Sequence, residues 1–278
     1  MLPNFSRFSV MLAALLCAGY ALAQPAAKKE YEPSVGQSGK DVVWVPTPQA
    51  LVDRMLDMAK LTTADVHYDL GSGDGRTVIT AAKRGGKAYG IEYNPDMVEL
   101  SKKNAAKEGV TNAAFMKADL FETDFSHATV VTLFLLPDIN LKLRPKILDM
   151  KPGTRIVSNT FSMGEWKDDE TATVEESQGC SYYCTAHMWI VPAKVAGSWQ
   201  LPQGELTLTQ EFQMLGGTLK TGDKSVSILN GRMRGDLISF SANNVEYAGR
   251  VSGSTITGKL GGSGAAWAAS RGGKPAAK

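Results

Sequence analysis

Cysteine is scarce in this chain: its 278 residues hold three, Cys17, Cys180 and Cys184. A C-x-x-x-C pair with no cysteine or histidine close by is not a zinc site. Histidine is equally rare. His67, His127 and His187 lie far apart and show no ligand spacing, so no metal is assigned. No apolar run reaches the about eighteen residues that a membrane-spanning helix needs. An excess charge of one sign is missing too, with 30 Lys and Arg against 28 Asp and Glu. A near-neutral chain offers no electrostatic case for nucleic acid as a partner. No glycine cluster runs into Gly-Lys-Ser or Gly-Lys-Thr, which excludes a P-loop.

The chain opens on a leader pattern. Arg7 and the amino terminus supply positive charge, Phe8 to Leu22 is mostly apolar and small, and Ala21-Leu22-Ala23 is a small-x-small cleavage site. Residues 1–23 are therefore predicted to be a secretory signal peptide, with the mature chain starting at Gln24. The expected location is outside the cytoplasm, periplasmic or secreted, with no transmembrane span once the signal is removed. In an oxidising compartment Cys180 and Cys184 form one disulfide or stay as two free thiols, and the spacing leaves both open. Residues 24–40, QPAAKKEYEPSVGQSGK, are polar and aperiodic and are predicted to be a flexible leader.

From residue 41 to 196 helical and strand patterns alternate. DVHYDLG, KAYGIEYN, AAFMKAD, ATVVTLFLL and TRIVSNTF read as strands. PQALVDRMLDMAKL, RTVITAAKRG and PDMVELSKKNAAKEG read as helices, and INLKLRPKILDMKPG as a helix interrupted near Pro145. Repeated β–α units predict an α/β fold, a Rossmann-like doubly wound parallel sheet with helices on both faces. TATVEES and CTAHMWIVPAKVAG look like paired strands that extend this sheet antiparallel at one edge. Helical periodicity stops at Gly197, and fifteen of the 28 glycines lie beyond residue 196. GRMRGDLIS (Gly231 to Ser239) recurs as GRVSGSTIT (Gly249 to Thr257), each a strand, a tight turn and a strand. A further hairpin is expected around Thr221 to Lys224. Residues 197–270 are thus expected to form a separate, small all-β antiparallel meander or barrel. Trp199, Phe212, Phe240, Tyr247 and Trp267 are its expected core. Residues 271–278 are expected to be a disordered tail.

The most informative stretch is YDLGSGDGR, Tyr68 to Arg76, at the end of the first strand and the start of a helix. Ligands of open parallel sheets bind at this end of the strands. Glycines let the backbone approach a ligand, and a helix amino terminus offers N–H groups. Asp74 or Thr77 is a candidate cap for that helix. The spacing Gly71, Gly73, Gly75 is not the G-x-G-x-x-G of dinucleotide sites. Asp69 and Asp74 also place two carboxylates where a pyrophosphate would sit, which is electrostatically costly. A cationic ligand without phosphate suits these residues better. S-adenosylmethionine carries a sulfonium, an ammonium and one carboxylate, and fits that description.

Asp69-Leu70-Gly71-Ser72-Gly73-Asp74-Gly75 resembles the first motif of class I S-adenosylmethionine-dependent methyltransferases. The nearest likeness is to the ATP synthase c-subunit lysine methyltransferase family, through WVPTPQALVDRML, DLGSGDGR, GIEYNP, and RIVSNTF with Trp166 soon after. It covers about Asp41 to Trp166. It implies S-adenosyl-L-methionine as cofactor, with Asp69, Gly71, Ser72 and Gly73 in the loop, Glu92 on the ribose hydroxyls and Asp119 at the adenine amino group. By the same likeness Val45, Pro46 and Thr47 line the pocket. Asn or Asp followed by Pro-Pro, the polar clamp of many nitrogen methyltransferases, is replaced by Phe134-Leu135-Leu136-Pro137. An apolar channel suits lysine, whose neutral amine is the nucleophile. The channel candidates are Leu136, Pro137, Asn159, Thr160 and Phe161, with Trp166 at the mouth, and no catalytic base is assigned. The expected activity is N-methylation of a protein lysine, or of a small molecule, by in-line displacement. The alternative is an exported, non-catalytic module that binds S-adenosylmethionine or a related nucleoside, with the β domain on an envelope component.

Overall fold

The computed structural model describes residues 31–271. The expected signal peptide and all but the first residue of the expected tail lie outside the described residues.

The first sheet is built from short strands, buried at its centre, with helices between most of the first five. In chain order these are α1 (Gln49–Met58), β1 (Val66–Leu70), α2 (Arg76–Lys83), β2 (Lys87–Glu92), α3 (Pro95–Lys107), β3 (Ala113–Lys117), β4 (Val130–Leu133), α4 (Pro137–Leu148), β5 (Arg155–Asn159), β6 (Glu170–Thr173) and β7 (Thr185–Ile190). The strand order is β3-β2-β1-β4-β5-β7-β6. The first five strands are parallel, and β7 and β6 complete the edge antiparallel. Every residue of β4 is buried, as a strand covered on both faces must be. The helices follow the same logic: α1 buries Leu51, Val52, Met55, Leu56 and Met58 on one stripe, the spacing of an amphipathic helix. Asn94 caps α3 by accepting from Asp96 N, with Pro95 in the first turn.

Pro145 does not interrupt α4, which runs through it. A proline costs the bond to the carbonyl four residues earlier. Here that is Leu141, on the exposed side of the helix.

The second sheet closes on itself. Its strands are β8 (Gly197–Leu201), β9 (Gly204–Glu211), β10 (Met214–Thr221), β11 (Lys224–Ser227), β12 (Leu229–Arg234), β13 (Leu237–Ala242), β14 (Val245–Ser252), β15 (Thr255–Leu260) and β16 (Ala266–Ser270). β11 and β12 share the same edge of β10, and β10 also pairs with β9, which closes an antiparallel barrel of eight staves. The three expected hairpin turns fall at β10–β11, β12–β13 and β14–β15. Trp199, Phe240, Tyr247 and Trp267 fill the barrel with Leu206, Leu208, Met233, Ile238 and Ile256.

Phe212 does something else. It lies on the β9–β10 turn with φ +51, leaves the barrel core and stacks on Trp166, in the segment between β5 and β6, with ring centroids 6.1 Å apart. Periodicity could not show this, because the turn redirects the ring. From Pro33 onward the described chain is one compact unit. The contacts between the two sheets include Gln213 Nε2 donating to Lys167 O at 2.7 Å and Arg232 paired at 2.6 Å with the buried Asp169.

Candidate active site

A cavity of about 470 Å³ opens at the carboxyl ends of β1, β2 and β4. This is where the winding of the sheet reverses between β1 and β4, the place where open α/β sheets bind ligands. The glycine loop forms its floor. Gly71 N and Ser72 N both donate to Ile91 O, at 2.8 and 3.0 Å, so the loop leans on the end of β2. From below, α3 holds it: Ser101 Oγ donates to Gly73 O at 2.9 Å and Asn104 Nδ2 to Asp74 O at 3.0 Å. Gly73 has φ +53, and a Cβ there would sit 2.6 Å from Trp44 Nε1. Only glycine meets both conditions.

Asp69 stands at the centre. Its Cα is in register with Gly90 of β2 and Thr132 of β4. The Thr132 hydroxyl donates to Asp69 Oδ1 at 2.6 Å, and on its other side meets His67 Nε2 at 2.8 Å. Burial pushes the Asp69 carboxyl up to about 7, against the Thr132 hydrogen bond and with help from the nearby Glu92 and Asp74 charges. Burial likewise drives His67 down to about 3, so the imidazole is neutral. Thr132 and His67 stand behind Asp69 without lining the cavity, and the sequence reading did not connect them with it. Their signal was weak: Thr132 is the one polar residue of β4, and His67 stands two residues before Asp69 in β1.

Glu92 accepts Gly73 N at 3.0 Å and Asn94 N at 2.9 Å, which fixes it at the tip of β2. Each carboxylate oxygen keeps a further lone pair for a ligand. Asp119 accepts Phe121 N at 2.9 Å and is paired with Lys40, whose ammonium also lies 4.9 Å from the Tyr93 ring centroid. The Lys40 hydrogen bond holds the Asp119 carboxyl below its ordinary range. Asp74 is not a free acid. It is held by Arg76, with Nε at 3.0 Å and Nη2 at 2.6 Å. Gly75 rather than Asp74 or Thr77 occupies the cap position of α2.

Pro46 and Thr47 line the cavity together with Val45. Thr47 does not cap α1; Pro48 holds that position. Thr47 Oγ1 instead accepts from Asn159 Nδ2 at 3.2 Å, and its carbonyl accepts from Arg76 at 3.1 Å. Residues 34–40, expected within the flexible leader, are ordered against the cavity. Gly36 N bonds Trp44 O and Trp44 N bonds Gln37 O, and Gln37 through Thr47 form one wall. Composition hid this, because pairing with Trp44 and the Lys40–Asp119 ion pair, rather than an internal periodicity, hold the segment.

The acceptor candidates divide. Leu136 and Phe161 reach the cavity; Pro137, Asn159, Thr160 and Trp166 do not. Pro137 begins α4. Asn159 is fully buried behind Thr47, and the Thr160 hydroxyl donates to it at 2.9 Å. Trp166 is not at a channel mouth. It is fully buried between Trp189 and Phe212, because an indole of this size next to the second sheet is worth more as core. Tyr183 is a cavity residue that sequence reasoning missed, and Phe134, read there as part of the apolar segment that replaces the polar clamp, also lines the cavity. Cys180 and Cys184 form a disulfide.

The described residues lining the cavity carry five carboxylates (Asp41, Asp69, Asp74, Glu92, Asp119) against two cations (Lys40, Arg76). Such a site attracts a cation and repels a polyanion. The fit to S-adenosylmethionine also shows at single atoms. Ser72 Oγ, in the loop that lines the cavity, is buried without a protein partner, and the glycine at 73 lets Trp44 close against the loop where a Cβ would meet it at 2.6 Å.

Residues 69–170 match the family model of the ANTKMT methyltransferase domain. A protein-lysine N-methyltransferase of Saccharolobus islandicus is 47% identical over 139 residues, which are 49% of this chain and 86% of that protein. The chain belongs to this methyltransferase family. The human ATP synthase c-subunit lysine N-methyltransferase is 34% identical over 128 residues, 45% of this methyltransferase and 54% of the human protein. The methyltransferase therefore spans about half the length of the human relative. Among solved structures, an RNA methyltransferase from Salinibacter ruber in complex with S-adenosyl-L-homocysteine is 47% identical. It aligns with a TM-score of 0.50 over 54% of this chain and 96% of its own. These relatives agree on methyl transfer and differ in acceptor.

Proposed function

We propose that this S-adenosylmethionine-dependent methyltransferase acts on the side-chain amine of a protein lysine. The observation that carries the reading is a single cavity with two different ends. One end presents Asp69, Glu92 and Asp119 at the tips of neighbouring strands. The other is Phe134, Leu135, Leu136, Phe161 and Tyr183. Carboxylates in excess disfavour an RNA backbone, and an apolar wall suits the alkyl chain of lysine.

When bound, S-adenosylmethionine supplies an electrophilic sulfonium methyl. The chain supplies charge, alignment and a dry channel. Asp69 and Glu92 compensate positive charge; Glu92 and Asp119 orient the nucleoside; Pro46 and Thr47 line the same cavity. The lysine amine sheds its proton to water before attack, and the aromatic wall serves to position its side chain. Positioning then provides most of the catalysis, and no protein base is required.

We also read the chain as exported. The leader pattern of residues 1–23 and the Cys180–Cys184 disulfide support this, since disulfides persist in oxidising compartments.

The test is calorimetric titration with S-adenosylmethionine and S-adenosylhomocysteine, paired with transfer of labelled methyl to polylysine and to structured RNA. Binding in the micromolar range with label on polylysine alone supports the reading. Binding without label on either polymer favours a non-catalytic module, and label on RNA overturns lysine as the acceptor.

A further inference from the structure

The loop between β6 and β7 contains Cys180-Ser181-Tyr182-Tyr183-Cys184, closed by the disulfide at a separation of four residues. Tyr182 is 79% exposed, whereas Tyr183 lines the cavity. Tyr183 has φ +55, the left-handed region, where a bulky side chain is an outlier. A second outlier lies nearby: Thr160, β-branched with φ +62, immediately before Phe161. Such backbone persists only where the surroundings over-determine it, and it clusters at ligand sites.

Both deviations bring a ring to Phe134. The Phe134 and Tyr183 centroids are 5.2 Å apart, Phe134 and Phe161 6.1 Å, and Phe161 and Tyr183 6.3 Å. At these spacings the rings touch one another. They form a continuous wall rather than a cage around a gap. The loop that carries Tyr183 is tied to the core on both sides. Cys180 is buried with Val157, Ala186 and Met188, Val174 N donates to Cys184 O at 2.9 Å, and Thr160 N donates to Thr185 O at 2.7 Å.

An aromatic face attracts an ammonium within about 6 Å of its centroid and packs against the methylenes beside it. Resting on the reading of the cavity as a lysine methyltransferase site, we propose that Tyr183 is an acceptor-binding residue held in place by the Cys180–Cys184 disulfide. Reduction of that disulfide weakens acceptor binding and spares cofactor binding. In the reduction, a dithiol thiolate attacks one sulfur and the S–S bond breaks. Two protein thiols form, and the dithiol leaves as its cyclic disulfide. Cofactor binding is spared because Asp69, Glu92 and Asp119 belong to β1 and the ends of β2 and β3, on the other side of β4 from this loop.

The experiment titrates the protein with N-acetyl-trimethyllysine and with its neutral tert-butyl isostere, with and without S-adenosylhomocysteine. The forms compared are oxidised wild type, dithiothreitol-treated wild type, Cys180→Ser/Cys184→Ser, Tyr183→Phe and Tyr183→Ala. Oxidised wild type and Tyr183→Phe are expected to prefer the cation by about fivefold or more, and Tyr183→Ala and the reduced forms to lose about tenfold in affinity for it. S-adenosylhomocysteine affinity should stay within about twofold across all forms. Tyr183→Ala keeps the disulfide and truncates a side chain that is 45% exposed, so it reports even where the thiol variants fail to fold. Equal affinity for cation and isostere, or unchanged affinity in Tyr183→Ala or on reduction, overturns the proposal. Discrimination by the wall without any S-adenosylhomocysteine binding supports Tyr183 and overturns the methyltransferase reading instead.

Discussion

Asp69 is a carboxyl group kept in the wrong ionisation state until a cation arrives. Burial lifts it from 3.8 to about 7, so below that pH the ligand-free protein holds a neutral acid. A cationic cofactor favours the anion, and binding then releases a proton. S-adenosylmethionine affinity should therefore strengthen as pH rises from 5.5 to 8, by up to about tenfold per unit below 7. Calorimetry in buffers of different ionisation enthalpy measures the released proton, and Asp69→Asn should abolish both the slope and the release. Stability is a poorer reporter. The raised folded-state pKa of Asp69 makes stability fall as pH rises from about 4 to 7. His67, depressed from 6.5 to about 3 by burial, makes stability rise with pH between about 3 and 6.5. The two slopes oppose each other over most of the same window. Thr132→Val removes the hydroxyl between these groups and should cost about 2–4 kcal/mol by chemical denaturation, because it leaves two buried polar partners unsatisfied.

The loop between β1 and α2 is where one methyl group decides the outcome. Gly73 combines a left-handed backbone with contact to Trp44. Gly73→Ala should cost about 1–2 kcal/mol from the backbone alone and should move Trp44, which belongs to the cavity wall. We expect S-adenosylhomocysteine affinity to fall by more than about tenfold while the sheet still forms, as checked by titration and circular dichroism. Gly90 tests the neighbouring strand. A Cβ there would meet Ser72 Oγ at 2.6 Å and the Phe115 ring at 2.8 Å. Gly90→Ala should therefore shift Ser72 and weaken cofactor binding without touching the ligand.

At the scale of the whole molecule, the barrel and the α/β layer share core. Phe212 stacks on Trp166, and the fully buried Asp169 carboxylate has Arg232 from the barrel and Ile190 N as its partners. Removing Arg232 strands that charge. Arg232→Ala should cost about 2–4 kcal/mol, and Phe212→Ala about 2–4 kcal/mol. With so much shared, we expect the intact chain to unfold in a single calorimetric transition, and a chain that ends near Ala196 to lose stability and expose Trp166 to quenchers. Two separate transitions, with the truncated chain as stable as its counterpart in the full protein, would contradict this.

The parallel sheet, its antiparallel edge and the hairpin turns were legible from residues alone, and the acidic residues at three strand tips from the family resemblance. Each is a local pattern: apolar period, glycine at a turn, acid after a strand. Asp69, Gly71, Ser72, Gly73, Glu92, Asp119, Pro46 and Thr47 all line one cavity, because strand order brings successive strand ends together. The rest was decided in three dimensions. Whether Trp166 faced a channel or a core depended on the barrel packed beside it, which no spacing encodes. Tyr183 and Phe134 are far apart in sequence and meet only because β7 folds back antiparallel against β5. Residues 34–40 looked like polar leader and are ordered by what they touch. Sequence periodicity reports which residues are apolar and how the chain turns; it is silent on which buried surface meets which, and in this protein that pairing builds the aromatic wall of the cavity, its proposed acceptor end.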